Sequence, residues 1–209
     1  MIRIIAIERE YGSGGAAIGE KLASRLGWKL WDHELTAEIA RRTRVNPAEV
    51  TRREERVDPL FYRLAKVFAR GSLERSLPVS GIEGLDADRM VELMQGVIDE
   101  AASAGNCVIV GRGAPYFLRD RDDIFTVFIF APLEEKLRRV KGIGKTEAKA
   151  VELISEIDSE RATFVKKYYG KEWPTRSLYH LMINSKVGDD AVVRTIVAEV
   201  AILDGKDRG

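Results

Sequence analysis

The glycine-rich segment Gly12-Ser-Gly-Gly15 lies between an apolar run and an amphipathic stretch, a position suited to anion binding. Glycines there let backbone amides come close to a phosphate, and the N-terminus of a following helix adds a favourable electric field. The sequence therefore predicts a phosphate-binding loop that consists of Gly12, Ser13, Gly14 and Gly15.

This loop departs from the phosphate-binding pattern GxxxxGK[ST]. If Gly14 is the second glycine of the pattern, Arg9 stands in the place of the first glycine. Gly15 then replaces the lysine, and Ala16 replaces the Ser or Thr that would meet magnesium. The residues thus predict a loop of backbone amides that lacks the usual lysine charge and hydroxyl group.

Two other interpretations of the loop stay open. Gly12, Gly14 and Ala17 fit the dinucleotide-binding pattern GxGxxG/A, and Asp32 follows Gly12 by 20 residues, as that pattern expects. However, four residues separate Ile7 from Gly12, whereas dinucleotide-binding folds turn almost directly from the strand. The remaining interpretation is a tight turn in which glycine serves backbone geometry alone.

Arg112 and Asp32 each follow a predicted strand and are candidate ligand-binding groups. Arg112 lies between two glycines, so it has little reason to serve packing and is predicted to bind a ligand. Asp32 is suited to a magnesium ion, to a ribose or to the N-cap of a helix, and these roles stay open. Parallel sheets bind ligands at the carboxyl ends of their strands, where both residues are expected.

Asp158 and Arg161 are spaced to share one face of a predicted helix. Arg161 is suited to stabilise a transferring phosphoryl group while Asp158 orients it. An ordinary ion pair within the helix is an equally open alternative. For Lys136 and Lys141, in the preceding segment, the ordinary ion pair within a helix is the favoured interpretation.

The alternation of apolar and amphipathic segments predicts the fold that positions these groups. Strands are predicted at 3–7, 28–31, 107–110, 124–130 and 180–184, with helices between them. This order predicts one α/β domain over residues 1–209, with three α/β/α layers around a five-stranded parallel sheet. Its core is formed by 1–32 and 105–209, and 33–104 is a helical insertion.

The charge balance gives no indication of a nucleic-acid or membrane partner. Lys and Arg total 34 against 33 Asp and Glu, so a net charge of +1 gives no bulk attraction to nucleic acid or to an anionic membrane. No apolar stretch approaches the ~20 residues that span a bilayer, and no signal peptide is recognised, so a cytoplasmic location is expected. The sequence has no CxxC or HExxH metal signature, and no residue is assigned as a metal ligand.

Several segments, in the same order, resemble the cytidylate kinase-like family over nearly the whole chain. The opening Ile4-Ile-Ala-Ile-Glu-Arg-Glu-Tyr-Gly-Ser-Gly-Gly15 is similar to that family's opening, in which an REYGSGG segment is typical. The other matching segments are Trp31-Asp-His-Glu-Leu35, Val108-Ile-Val-Gly-Arg-Gly-Ala114, Phe128-Ile-Phe-Ala-Pro-Leu-Glu-Glu135 and Met182-Ile-Asn-Ser185.

The resemblance implies a P-loop kinase fold that uses ATP and Mg²⁺ to phosphorylate a nucleoside monophosphate, with CMP or dCMP as the expected acceptor. It further implies that the insertion at 33–104 binds the acceptor and that an arginine-bearing lid covers about 138–161. On this basis Arg161, Asp158 and Arg138 are predicted to be catalytic, and Asp32 and Arg112 to bind substrate.

The departures from the family pattern keep other functions open. Gly15 and Ala16 remove the lysine and the hydroxyl, and Gly113 stands where an acidic residue is expected. A non-catalytic nucleotide- or anion-binding module is therefore the alternative function. A dinucleotide-binding oxidoreductase is a third possibility, which the long turn from Glu8 to Tyr11 disfavours.

Overall fold

The computed structural model describes residues 1–32 and 87–205, together with Leu35 and Glu38. The strands are β1 Ile4–Arg9, β2 Lys29–Trp31, β3 Cys107–Val110, β4 Ile124–Phe130 and β5 Leu181–Asn184. The helices of these residues are α1 Gly15–Leu26, α2 Ala87–Ala104, α3 Ala114–Phe117, α4 Leu133–Gly142, α5 Glu147–Tyr169 and α6 Asp189–Leu203. Short 3₁₀ turns at Arg176–Leu178 and Ser185–Val187 flank β5.

The five strands form one parallel sheet in the order β2-β3-β1-β4-β5. β1 is central, with Ile4 opposite Cys107 of β3 on one side and Ile124 of β4 on the other. The glycine loop that follows β1 therefore lies in the middle of the carboxyl edge of the sheet, between the ends of β3 and β4. Ligands bind at this edge in open α/β sheets.

Alternate residues of the strands pack against two helical layers. Ile5 and Ile7 of β1 face a core that includes Ile18 of α1 and Ile196 of α6. Ile4 and Ala6 face the opposite core, which α2 and the end of α5 complete. The period of two that separates these faces confirms the predicted three-layer α/β/α fold. None of the helices in the described part of the chain has the length and apolar character to cross a membrane.

Helix α2 belongs to the segment predicted as a helical insertion, and it packs directly on the sheet. Met94, Val97 and Ile98 are buried in the same core as Ile4 and Ile109. α2 thus forms part of the layer that supports β1 and β3. Apart from Leu35 and Glu38, residues 33–86 lie outside the described part of the chain, so an acceptor-binding role for the insertion stays a prediction.

Local sequence signals account for several element boundaries. Gly27 ends α1 in the left-handed conformation, with φ 66°. Thr146 caps α5 by accepting the Lys149 amide, and that helix ends at Tyr169. β5 begins one residue later than predicted. At His180 the imidazole accepts the Thr126 amide at 3.0 Å.

The predicted lid, 138–161, covers the end of α4 and most of α5, which pack against each other as a helical hairpin. Val140, Leu153 and Ile157 form a small apolar core around Tyr11 of the glycine loop. Tyr11 thus joins the hairpin to the loop, so the position of the hairpin is coupled to the phosphate-binding segment.

Candidate functional site

Eight charged residues converge at the carboxyl edge around the end of β1, and we call them the charged cluster. They come from β1, the glycine loop, the residue after β2, the residues after β3, α4 and α5. The cations are Arg9, Arg112, Lys136 and Arg161, and the carboxylates are Glu8, Glu10, Asp32 and Asp158. Because the charges balance, the cluster is tolerated at a largely buried position.

Arg9 is the last residue of β1, and its side chain is buried, with the residue 5% exposed. Glu8 accepts the Arg9 amide at 3.1 Å and lies 3.7 Å from the Arg9 guanidinium. The guanidinium extends to the end of β3, where a Cβ added at Gly111 would overlap it. Arg9 therefore bridges the carboxyl ends of the two neighbouring strands.

Arg112 follows β3 and is also buried, with its backbone at φ 62°. A residue other than glycine pays a conformational cost in this left-handed region, which is a frequent property of ligand-binding positions. Burial lowers the pKa of both Arg112 and Arg9 to about 10, while the nearby carboxylate of Asp32 raises it. Both guanidinium groups thus remain charged at neutral pH.

Asp158 and Arg161 of α5 fix the beginning of the glycine loop. Arg161 donates from Nη1 to the carbonyl oxygen of Arg9 at 2.6 Å and to Asp158 at 3.3 Å. Asp158 in turn accepts the Tyr11 amide at 2.7 Å. The predicted pair within the helix is present, but it is buried and bonded to the loop backbone, so it differs from an ordinary solvated ion pair.

Lys136 of α4 contradicts its interpretation as part of an ordinary ion pair within the helix, because its partners lie outside α4. It is buried, with its ammonium group 2.9 Å from Glu10 and 3.5 Å from Asp158. By contrast, Lys141 is half exposed and forms an ordinary surface ion pair, although its partner Glu147 lies on α5 and not on the same helix. The inward face of α4 is the one that packs on the glycine loop, which brings Lys136 into the charged cluster.

The glycine loop combines left-handed glycines with an uncapped helix start. Gly12 and Gly14 have φ of 77° and 80°, and Gly14 provides no side-chain hydrogen bond to the first turn of α1. The first amides of a helix lack partners within the helix, so those of α1 are suited to an anion. The Ser13 amide, however, already donates to the backbone carbonyl oxygen of Glu10 at 3.3 Å.

Anion binding by the loop is testable in crystals soaked with sulfate or with a nucleotide. We expect the anion at the amides of Gly12 to Gly15, because glycine geometry and the helix field coincide there. Binding is detected as electron density for the anion at these amides. An ordered anion elsewhere at the carboxyl edge, with this loop unchanged and closed, would contradict the prediction.

Arg138, predicted as catalytic, lies apart from the charged cluster. Its side chain is 70% exposed and pairs with Glu135 on its own helix at 2.6 Å. The adjacent Arg139 approaches the glycine loop instead, since a Cβ added at Gly14 would overlap its guanidinium. Glu135 and Asp189 hold Arg139 at 2.9 and 2.8 Å. Arg139 is thus a better-placed cation than Arg138 for a ligand of the loop.

The sequence profile of the cytidylate kinase-like family matches residues 4–187 of the chain. The chain belongs to this family. The cytidylate kinase of Ignicoccus hospitalis is 26% identical over 197 residues, which are 92% of this chain and 96% of that one. The cytidylate kinase of Methanosarcina mazei is 26% identical over 126 residues, 58% of this chain and 70% of that one.

Solved structures support the fold of this cytidylate kinase-like protein. An uncharacterized protein from Eubacterium ventriosum matches with a TM-score of 0.66 at 22% identity, covering 96% of this chain and 98% of that one. Shikimate kinase from Bacteroides thetaiotaomicron matches with a TM-score of 0.51 at 20% identity, covering 97% of this chain and 98% of that one. At these identities the similarity establishes a P-loop kinase fold, and the family supports a kinase activity on a nucleotide.

The residues present in this family member suit a nucleoside triphosphate with magnesium. Buried guanidinium groups and helix-start amides suit phosphate oxygens. Within the described ranges no three His, Cys, Asp or Glu residues are grouped to hold a metal ion. Magnesium in phosphotransferases is commonly bound through one or two carboxylates and the substrate phosphates. Asp32 and Glu8 are buried carboxylates in the charged cluster and fit that arrangement.

The structure also explains the glycine that replaces an acidic residue after Arg112. Gly113 has φ 69°, and an added Cβ would lie 3.1 Å from atoms of both Phe164 and Tyr169. A larger side chain therefore has neither the space nor the favourable backbone conformation at this position. Because α5 packs closely against the residues after β3, an acidic side chain at position 113 would contact Phe164 and Tyr169.

Sequence reasoning missed Glu8, Arg9, Glu10, Lys136 and Arg139 as site residues. One signal was available for the first two of these. Both belong to β1, whose apolar residues indicate a buried strand, and a buried charged pair at the carboxyl end of such a strand is unusual without a function. No comparable signal marks Lys136, because α4 carries charged residues on several sides.

Proposed function

We propose that this protein transfers a phosphoryl group from ATP to a nucleoside monophosphate, with CMP or dCMP as the acceptor. One observation carries the proposal. Buried cations from β1, β3, α4 and α5 meet at the carboxyl edge, beside a glycine loop at the start of a helix. Phosphoryl transfer depends mainly on positioning and on neutralising charge, which such an arrangement supplies.

In the proposed reaction an oxygen of the acceptor phosphate attacks the γ-phosphorus of ATP. The bond between that phosphorus and the β–γ bridging oxygen breaks, and ADP leaves. The amides of Gly12 to Gly15 bind the donor phosphates, and Arg112 binds the acceptor phosphate. Arg161, held by Asp158, stabilises the transferring group. Magnesium, when bound, would be held by the carboxylates of Asp32 and Glu8 and would neutralise part of the charge on the donor phosphates.

A nucleotide panel tests the proposed function. Purified protein with ATP and Mg²⁺ is incubated separately with CMP, dCMP, UMP, AMP and GMP, and the products are separated chromatographically. We expect ADP to form in equal amount with CDP or dCDP. A thermal-shift series with the same nucleotides reports binding independently. The absence of any acceptor-dependent ADP would contradict the proposal.

A non-catalytic nucleotide- or anion-binding module is the second candidate, and a specific observation favours it. Gly15 and Ala16 leave the loop without the lysine and hydroxyl that support phosphoryl transfer in the GxxxxGK[ST] pattern. This candidate predicts a thermal shift with ATP in the nucleotide panel but no ADP formation. Under either function we propose a small-molecule nucleotide as the partner and the cytoplasm as the location.

Arg112 provides a prediction about acceptor binding. Replacing Arg112 with alanine is expected to raise the KM for the acceptor about 10- to 100-fold, because a charge-assisted contact to phosphate is lost. The variant Arg112→Gly removes the same charge without backbone strain, since glycine tolerates φ 62°, so it separates loss of the charge from strain at this position. Steady-state kinetics and thermal melting of both variants are compared. A large fall in melting temperature with an unchanged KM would show that Arg112 is structural.

A further inference from the structure

Arg9 occupies the space that a lysine at position 15 would need. A Cβ added at Gly15 would lie 2.7 Å from both Cβ and Cγ of Arg9, which is closer than real side-chain atoms approach. The glycine at position 15, where the motif expects lysine, is therefore required by the Arg9 side chain. The two positions exclude each other sterically, so only one of them can carry a long cationic side chain, and in this protein it is the strand position.

The Arg9 guanidinium is placed at the carboxyl edge and does not extend into solvent. It passes the start of α1 and reaches Gly111 at the end of β3, where no side chain fits beside it. With 5% of the residue exposed, the group is largely desolvated. A desolvated guanidinium interacts with phosphate more strongly than a solvated one, because the effective dielectric constant is lower.

The backbone of Arg9 is fixed from two sides. Its amide donates to Glu8 Oε1 at 3.1 Å, and its carbonyl oxygen accepts from Arg161 at 2.6 Å. These bonds link Arg9 to α5, which also holds the next part of the loop through the Tyr11 amide and Asp158. A cation fixed in this way needs little reorganisation when a phosphate arrives.

We propose that the Arg9 guanidinium replaces the missing loop lysine and binds the donor phosphates during phosphoryl transfer. This inference rests on the proposed kinase function. It explains why position 15 is a glycine, because a larger residue would overlap Arg9. It also explains how a loop without lysine has an arginine beside its amides. Arginine also binds phosphate oxygens in a bidentate manner, which a lysine does not.

The inference is tested first by removing the charge. Arg9→Met keeps most of the side-chain length and removes the cation, and Arg9→Lys keeps a cation without the planar fork. We expect kcat to fall about 100-fold or more in Arg9→Met and less in Arg9→Lys. The control is Arg25→Ala, which removes an exposed arginine of α1. Turnover within threefold of wild type in a folded Arg9→Met protein overturns the inference.

The decisive experiment moves the cation back to the loop. Arg9→Gly removes the clash at position 15, so the double variant Arg9→Gly with Gly15→Lys is sterically allowed. We expect the double variant to regain at least about tenfold in kcat over Arg9→Gly alone, since a loop lysine then supplies the charge. Gly15→Lys alone is expected to lose stability by overlap with Arg9. No recovery in a folded double variant overturns the inference, because a merely structural arginine would not be replaced in this way.

A binding experiment distinguishes failure of the proposed kinase function from failure of the inference about Arg9. If the wild type phosphorylates no acceptor in the nucleotide panel, the proposed function fails, and inorganic tripolyphosphate is then titrated calorimetrically into wild type and Arg9→Met. Binding at least about tenfold weaker in the variant supports Arg9 as a phosphate-binding cation. Equal affinities overturn that role.

Discussion

Replacement of Arg161 by alanine is expected to lower kcat about 10³-fold while the affinity for ATP changes much less. Arg161 is buried, 7% exposed, and joins the carbonyl oxygen of Arg9 to Asp158. Under the proposed function, its removal takes away a cation that stabilises the transition state, and it also removes the hydrogen bond to the end of β1. An interaction made mainly in the transition state appears in kcat rather than in ground-state binding.

Steady-state kinetics and calorimetric titration of ATP measure these two quantities for Arg161→Ala. Arg161→Lys is included because it preserves the charge but not the fixed fork of donors, and it is expected to recover part of the activity. Arg194→Ala removes an exposed arginine of α6 and is the matched control. Unchanged turnover in Arg161→Ala would reject the catalytic role, and an equal loss of affinity and turnover would show ground-state binding.

Replacement of Asp158 by alanine is expected to lower the free energy of unfolding by about 3–5 kcal/mol. Asp158 is the carboxylate shared by Arg161, Lys136 and the Tyr11 amide. Its loss leaves two buried cations with one carboxylate fewer and an amide without its acceptor. The cost is therefore larger than that of an ordinary ion pair within a helix.

Urea denaturation of wild type and Asp158→Ala measures this loss. The matched control is Asp190→Ala, which breaks the exposed ion pair with Lys21 on the surface and is expected to change stability little. Asp158→Asn keeps the shape and an acceptor for the Tyr11 amide, so an intermediate loss is expected. Equal effects of the Asp158 and Asp190 variants would show that the charged cluster contributes no more than a solvated pair.

The two predictions share a structural basis in the link between α5 and the glycine loop. Asp158 and Arg161 both bond to backbone groups of the loop, at Tyr11 and Arg9. In addition, Tyr11 packs in the apolar core of the α4–α5 hairpin. A change in the hairpin therefore alters the loop directly, which gives the predicted lid segment a means of acting on bound phosphates.

The sequence was sufficient for elements whose signals are local. The continuous apolar run that begins β1 and the left-handed glycine after α1 each depend on a few neighbouring residues. The N-cap at Thr146 is another such signal. Likewise, the order of strands and helices restricts the topology, because parallel crossovers are right-handed. These local rules account for the confirmed α/β/α fold, and the ordered motifs account for the confirmed family.

The composition of the charged cluster was decided by tertiary structure. Arg9 is far in the sequence from Lys136 and Arg161, and no local pattern indicates that the three side chains meet. Burial of Lys136 depends on which face of α4 packs on the loop, and charges on several sides of that helix hide this face from pattern analysis. The steric exclusion between Arg9 and Gly15 likewise exists only when the end of β1 meets the start of α1. Sequence patterns reveal local periodicity and capping, whereas the pairing of distant charges depends on the packing of whole elements.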